Sequence, residues 1–229
     1  MRKAPDKMQP PASAGSAMSD RIASIRAHYE HRISPQAPPY QVLDWSSHDS
    51  QHARFGVLAG NVDLAAKTLL DVGCGLGDLW GYLKSCGVDA RYTGVDILEK
   101  MVAAAGQRHS DARFVCADLF GDSAAITEKT ERTFEPGSFD VVFCSGIFNL
   151  NLGNNHDFLA RGLARLLELA RSHLVFNLLH SRAQTADSRY FHYDPHTVMS
   201  MLESLPCSVK LIDDYLPNDF TLICKRIES

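Results

Sequence analysis

Residues 69–78 read Leu69-Leu70-Asp71-Val72-Gly73-Cys74-Gly75-Leu76-Gly77-Asp78. The first four residues predict the end of a buried strand. The three alternating glycines predict a tight turn into a helix, because glycine has no Cβ and adopts positive φ without strain. The start of a helix presents unpaired N–H groups and the positive end of its dipole. We therefore expect the turn to hold a polar group of a nucleotide-like ligand.

The glycine spacing and two nearby carboxylates narrow the class of ligand. A dinucleotide-binding turn reads G-x-G-x-x-G and has an acidic residue about 20 positions later, whereas this turn reads G-x-G-x-G. Asp96 ends a second predicted strand and supplies the acidic partner. Asp71 lies directly before the turn, where it would repel a diphosphate and attract a cation. The pattern favours a nucleoside with an ammonium or sulfonium group, such as S-adenosylmethionine, over NAD.

Composition and charge argue against several classes of protein. The 229 residues are 45% hydrophobic and 22% charged, which is typical of a globular chain. The net charge of -4 provides no global basic field, which argues against a nucleic-acid partner. The six cysteines show no zinc-ligand spacing, so we expect no metal and free thiols in a reducing compartment. No apolar run reaches the roughly 18 residues of a membrane span. We therefore predict a cytoplasmic protein without a membrane partner.

The chain divides into three predicted segments. Residues 1–18 are rich in Pro, Ala, Ser and Lys and predict a disordered tail. Residues 19–60 predict an N-terminal helical extension or lid, and residues 61–229 predict the main domain, in which strands and helices alternate. Its predicted strands cover residues 68–72, 91–95, 112–116, 139–144 and 173–179, and its predicted helices cover residues 78–85, 98–109 and 155–171.

The last part of the chain has a different order of elements. Asp194 and Pro195 predict the start of a helix that runs to about residue 204. Residues 208–213 and 220–225 predict two strands whose short link requires antiparallel pairing. We therefore predict an α/β fold with a Rossmann-like, doubly wound sheet of seven strands, mostly parallel and completed by an antiparallel C-terminal hairpin strand.

Four short motifs resemble those of the class I S-adenosylmethionine-dependent methyltransferases, and the resemblance covers about residues 40–229. In chain order they are Asp71-Val72-Gly73-Cys74-Gly75-Leu76-Gly77, Gly94-Val95-Asp96, Cys116-Ala117-Asp118-Leu119 and Phe139-Asp140-Val141-Val142-Phe143-Cys144-Ser145-Gly146. The predicted antiparallel terminal strand agrees with the family as well. The resemblance implies S-adenosyl-L-methionine as the cofactor and S-adenosyl-L-homocysteine as its product.

The resemblance also implies roles for individual residues. The glycine turn would take the methionine part, Asp96 would hold the ribose hydroxyls and Asp118 would face the adenine amino group, with Ile97 and Leu119 against the ring. The cofactor-binding residues predicted in this way are Asp71, Gly73, Cys74, Gly75, Gly77, Asp96, Ile97, Met101, Ala117, Asp118, Leu119, Ser145 and Gly146.

A bacterial subgroup of the family with no agreed acceptor shows further similarity. The shared stretches include Asp44-Trp45-Ser46-Ser47, Ser145-Gly146-Ile147-Phe148-Asn149 and Tyr190-Phe191-His192-Tyr193-Asp194-Pro195. This similarity implies the fold and the cofactor, and it leaves the acceptor open. Residues 145–149 lack the N/D-P-P-Y/F sequence of transferases that methylate a base or amide nitrogen, which argues against those reactions.

Two segments are candidates for the acceptor site because they follow the carboxyl ends of predicted strands. Residues 180–194 form a connection with the length of a functional lid and carry His192, whose ordinary pKa suits a general base. Asn149 is the second catalytic candidate. Arg54 would bind a carboxylate of the cofactor or of an acidic acceptor. The residues expected at the substrate site or its lids are Trp45, Gln51, Arg54, Phe148, Tyr190 and Tyr193.

These patterns favour one function and leave two others open. The first is methyl transfer to a small-molecule acceptor, supported by the acidic net charge and two candidate lids. The second is an RNA or protein methyltransferase, which would need a basic patch near the open strand ends. The third is a non-catalytic S-adenosylmethionine-binding regulatory module, because the loop after the fourth predicted strand has no obvious catalytic signature. A dehydrogenase is the least favoured alternative, and the oligomeric state is not indicated.

Overall fold

A computed structural model describes residues 14–34, 36–121, 134–183 and 187–227, with side chains from Arg21 onward. Seven strands in this part of the chain form one sheet in the order β3-β2-β1-β4-β5-β7-β6. The first five strands are parallel to one another, whereas β7 runs antiparallel to both of its neighbours. The strands are β1 (Thr68–Val72), β2 (Arg91–Asp96), β3 (Arg113–Cys116), β4 (Phe139–Ser145), β5 (Ala170–Leu179), β6 (Cys207–Ile212) and β7 (Asp219–Arg226).

The sheet confirms the predicted fold class, and the helices lie close to their predicted positions. The helix after β1 has the predicted bounds, and the helix before β5 ends two residues early because Ala170 is already extended and pairs with Phe139 of β4. The α-helices are α1 (Ala14–Tyr29), α2 (Pro39–Val42), α3 (His48–Asn61), α4 (Asp78–Ser85), α5 (Glu99–Arg108), α6 (Asn155–Leu169) and α7 (Pro195–Leu202).

The N-terminal part of the chain differs from its prediction in two places. Helix α1 begins at Ala14, inside the stretch expected to be a tail, and residues 1–13 of that stretch lie outside the described residues. The sequence did not predict helix α2, because prolines at positions 38 and 39 disfavour the interior of a helix. Pro39 is the first residue of α2, a position where the missing N–H of proline leaves no hydrogen bond unmade.

Helices cover both faces of the sheet and bury them. One face packs against α6 and α7, with Leu70, Val142 and Phe176 in its core. The other face packs against α3 and α4 through residues such as Leu58 and Leu83. None of the helices in the described ranges is long and apolar enough to cross a membrane.

The central strands end at one edge of the sheet. Val72 at the end of β1 is in register with Val95 of β2 and with Cys144 of β4. The chain order reverses between β1 and β4, which is the position where open α/β sheets bind ligands. The loops after β1, β2, β3, β4 and β5 therefore converge on one site.

Candidate functional site

The turn after β1 has the conformation that its glycines predict. Gly73, Gly75 and Gly77 all have positive φ, of 71°, 53° and 77°. The N–H groups of Gly73 and Cys74 donate to the carbonyl oxygen of Val95, at 2.8 and 3.0 Å. These bonds hold the turn against the end of β2, and Gly77 caps the start of α4.

Asp96 ties this turn to the next one. Its carboxylate accepts hydrogen bonds from the N–H groups of Gly75, at 3.0 Å, and Leu98, at 2.9 Å. Burial raises the pKa of Asp96, and these backbone N–H groups oppose the rise. A carboxylate offers about four lone-pair sites, so two remain for other donors such as ribose hydroxyls.

A cavity of about 400 Å³ lies at the edge where the strands end. Gly75 and Gly77 do not line it and contribute through the shape of the turn. The predicted cofactor-binding residues that do line it are Asp71, Gly73, Cys74, Asp96, Ile97, Met101, Ala117, Asp118, Leu119, Ser145 and Gly146. The structure therefore brings together residues from the ends of four strands.

Asp71 is a buried carboxylate two residues before Gly73, the first glycine of the turn. It is 4% exposed and accepts a hydrogen bond from the hydroxyl of Tyr92 at 2.7 Å. Burial raises the pKa of Asp71 to about 7, against the opposing effect of this hydrogen bond. A ligand ammonium beside Asp71 would stabilise its ionised form. An ammonium group at Asp71 and hydroxyl donors at Asp96 thus suit a nucleoside that carries an amino acid.

Asp118 has a partner that sequence reasoning missed. Nη2 of Arg21, on α1, lies 2.5 Å from Oδ2 of Asp118. The other carboxylate oxygen accepts from the N–H of Phe120 at 2.9 Å. Arg21, Ile25 and Tyr29 all line the cavity and recur every four residues along one helix face. That spacing was visible in the sequence, but nothing local indicated what the helix would cover.

Arg54 also differs from its predicted role, although it lines the cavity. It was expected to bind a ligand carboxylate, but its guanidinium is held by the carboxylate of Asp219 and the carbonyl oxygen of Ser50. The ring of Trp45 covers this guanidinium, with 4.3 Å between the ring centroid and Cζ. Gln51 lines the cavity as well and donates to Asp78 at 3.2 Å.

The acceptor candidates divide into two groups. Asn149, Tyr190 and His192 line the cavity. Phe148 and Tyr193 do not line it: they are 1% and 0% exposed and belong to the hydrophobic core.

Tyr193 and Asn149 make hydrogen bonds to the backbone on the acceptor side of the cavity. The hydroxyl of Tyr193 donates to the carbonyl oxygen of Phe148 at 2.8 Å. Oδ1 of Asn149 accepts from the N–H of Leu179 at 3.3 Å, and Asn149 also lines the cavity. Burial lowers the pKa of His192, which favours the neutral imidazole, the form that can accept a proton.

Asp44 connects the segments on both sides of the cavity. Its carboxylate accepts from Nε2 of His28 at 3.1 Å, from Nη1 of Arg32 at 2.6 Å and from the hydroxyl of Tyr190. Asp44 has a φ of 61°, which non-glycine residues seldom adopt. The N-terminal helices and the loop after β5 thus meet on one carboxylate. Among the described residues, no group of three or more His, Cys, Asp or Glu can hold a metal ion.

Comparison with known proteins agrees with this geometry. Residues 69–172 match the family model for a methyltransferase domain. A putative methyltransferase of Mycobacterium tuberculosis is 28% identical over 166 residues, which cover 68% of this chain and 91% of that relative. The ubiquinone biosynthesis O-methyltransferase of Burkholderia vietnamiensis is 32% identical over 97 residues, which cover 42% of this chain and 39% of that relative.

The fold is also similar to that of a solved enzyme. The magnesium protoporphyrin IX methyltransferase of Synechocystis, with bound S-adenosylhomocysteine, aligns over 90% of this chain and 100% of its own, with a TM-score of 0.64. The two sequences are 16% identical, so this likeness concerns the fold. The glycine turn, the buried carboxylates and the matched family model agree on the same kind of ligand.

Proposed function

Because the chain is a class I S-adenosylmethionine-dependent methyltransferase, we propose that it methylates an oxygen atom of a small-molecule acceptor. The observation that carries this proposal is the enclosure of one cavity from two sides. Helix α1 contributes Arg21 and Tyr29 to its lining, the segment between α2 and α3 contributes Trp45, and the loop after β5 contributes Tyr190 and His192. A cavity walled on two sides suits a compact acceptor better than a polymer. A relative named as an O-methyltransferase supports oxygen as the acceptor atom.

The proposed cofactor placement follows the polar groups of the cavity. The amino-acid end lies at the glycine turn near Asp71, the ribose beside Asp96, and the adenine between Ile97 and Leu119 with its amino group at Asp118. When bound, S-adenosylmethionine supplies an electrophilic methyl group on a sulfonium. Orientation of an acceptor against that methyl group can lower the barrier by several kcal/mol.

His192 and Asn149 are proposed to act on the acceptor. Neutral His192 would accept the proton of an acceptor hydroxyl as the oxygen–carbon bond forms and the bond from the methyl carbon to sulfur breaks, which leaves the cofactor as a neutral thioether. The amide nitrogen of Asn149 donates a hydrogen bond that orients the acceptor. Trp45 packs closely over Gly146, because a Cβ on Gly146 would lie 2.8 Å from its ring. A cytoplasmic location stays a prediction from the sequence.

An acceptor screen tests the proposal. The purified protein is incubated with S-adenosylmethionine and three acceptor classes: small phenols and hydroxy acids, bulk tRNA, and denatured protein. Formation of S-adenosylhomocysteine is measured for each class. We expect turnover with a small hydroxyl compound alone. Turnover with tRNA or protein alone would contradict the acceptor class, and tight cofactor binding without turnover in any class would favour a regulatory module.

A further inference from the structure

We propose that Arg21 gates the adenine end of the cavity, so that the cofactor enters and leaves only when the ion pair between Arg21 and Asp118 opens. The proposal rests on the cofactor placement proposed above and is independent of the acceptor. It makes Arg21 a positioning residue that acts through Asp118 and helix α1.

Arg21 and Asp118 form a largely buried ion pair. The side chains of Arg21 and Asp118 are 11% and 18% exposed, so water screens the pair less than it screens a surface pair. Cζ of Arg21 lies 5.1 Å from the ring centroid of Phe158 and 5.9 Å from that of Phe120. The guanidinium is therefore held by a carboxylate and by two aromatic side chains from different parts of the chain.

The position of α1 explains why this pair controls access. Arg21 and Ile25 line the cavity from the same helix face. At the other end of this segment, His28 and Arg32 bind the carboxylate of Asp44, which also lines the cavity. Residues 21–32 thus lie across the cavity and are fastened at both ends to carboxylates in its wall.

Adenine and Arg21 compete for the same carboxylate. One oxygen of Asp118 already accepts from the N–H of Phe120, and the other accepts from Arg21. An adenine amino group that reaches Asp118 must therefore use a remaining lone-pair site beside the guanidinium that already holds this carboxylate. Loss of the guanidinium therefore has two effects. Asp118 becomes free to bind adenine, and the end of α1 that covers Asp118 is released. The first effect speeds association, and the second speeds both association and dissociation.

Stopped-flow binding of S-adenosylhomocysteine tests the gate, with the fluorescence of Trp45 in the cavity wall as the signal. In Arg21→Ala, we expect the association and dissociation rate constants both to rise, the latter at least about tenfold for loss of a charge-assisted pair. Arg21→Lys keeps a point charge without the planar contact and should give intermediate rates. Arg26→Ala is the matched control, because Arg26 lies on the same helix, is 59% exposed and pairs only with Glu30 in the described structure.

The outcomes separate the gate from the cofactor assignment. Wild-type rates in a folded Arg21→Ala would overturn the gate. A rise in the dissociation rate alone would also overturn it, since Arg21 would then contact the cofactor without obstructing its entry. If Arg21→Ala does not fold, Arg21→Lys decides between the same outcomes. Failure of the wild-type protein to bind S-adenosylhomocysteine would instead overturn the cofactor assignment.

Discussion

Arg54 on α3 and Asp219 at the start of β7 form a buried ion pair, although 165 positions separate them in the sequence. Their side chains are 2% and 0% exposed. Nε of Arg54 lies 3.1 Å from Oδ1 of Asp219, and Nη2 contacts the other carboxylate oxygen. The pair joins the helix before the sheet to the antiparallel strand that completes it. It also neutralises the charge that Arg54 would otherwise offer to a ligand carboxylate.

Arg54→Met should destabilise the protein, because Asp219 would be left buried without its partner. Breaking a buried pair in this way costs about 3–5 kcal/mol. Burial already raises the pKa of Asp219 to about 6, and loss of Arg54 raises it further. The folded variant then binds a proton that the unfolded chain releases near pH 4, so its stability falls as pH rises from about 4 through the raised pKa. Urea unfolding at pH 5 and pH 8 measures this difference. The variant Arg54→Met with Asp219→Leu should lose less stability than either single change, and an equal or larger loss would contradict the account.

Gly73→Ala and Gly87→Ala separate the conformational role of a glycine from close packing at the turn. Both residues have positive φ, of 71° and 70°. A Cβ on Gly73 would overlap Cγ2 of Ile147, whereas nothing lies within 4 Å of a Cβ on Gly87. Gly87→Ala should cost about 1 kcal/mol through its backbone alone. Gly73→Ala should cost more and also weaken binding of S-adenosylhomocysteine. Equal stability losses with unchanged binding would show that the turn tolerates a side chain.

Tyr193→Phe should lower stability and leave activity unchanged, because the hydroxyl of Tyr193 lies in the core and not at the cavity. The carbonyl oxygen of Phe148 would lose one donor but keep the side-chain amide of Asn155, at 3.2 Å. We expect a loss of about 1 kcal/mol in urea unfolding. Tyr190→Phe is the contrasting variant, since Tyr190 lines the cavity and should alter turnover. A Tyr193→Phe enzyme that is stable but inactive would place this hydroxyl in the reaction.

His192→Gln should lower kcat by about a hundredfold or more if this side chain is the general base. Burial lowers the pKa of His192 below the ordinary value of 6.5. In the wild-type enzyme, kcat/KM should therefore fall as pH drops below 6.5, because the added proton removes the base. This acid limb should be absent from the variant. His196→Gln, at an exposed position on α7, is the matched control. An unchanged acid limb in His192→Gln would assign the base to another group.

Patterns in the sequence predicted the helices and strands well, because neighbouring residues determine where most of these elements begin and end. The bounds of β1 and α4 agree with the predicted ones, since an apolar run and a left-handed glycine determine where each begins or ends. Most of the predicted cofactor residues line the cavity, because the carboxyl ends of parallel strands meet at one edge of the sheet.

Pairings between distant residues could not be predicted in this way. Arg21 and Asp118 are 97 positions apart, and only the docking of α1 on the cavity brings them together. Arg54 has the same chemistry whether it binds a ligand or Asp219, so the sequence did not distinguish these roles. Phe148 follows β4 at a position that suits either a cavity wall or the core, and packing against Phe158 places it in the core.

Calorimetric titration with S-adenosylhomocysteine tests most directly whether the turn at Gly73 and the carboxylate of Asp96 form the nucleoside site. The wild-type protein should bind S-adenosylhomocysteine and not NAD. Asp96→Ala should weaken binding at least about tenfold, because hydrogen bonds to a carboxylate contribute about 1.5–3 kcal/mol. Asp111→Asn, on the surface and paired with Lys84, should bind like the wild type. Unchanged affinity in a folded Asp96→Ala, or tighter binding of NAD than of S-adenosylhomocysteine, would contradict the account.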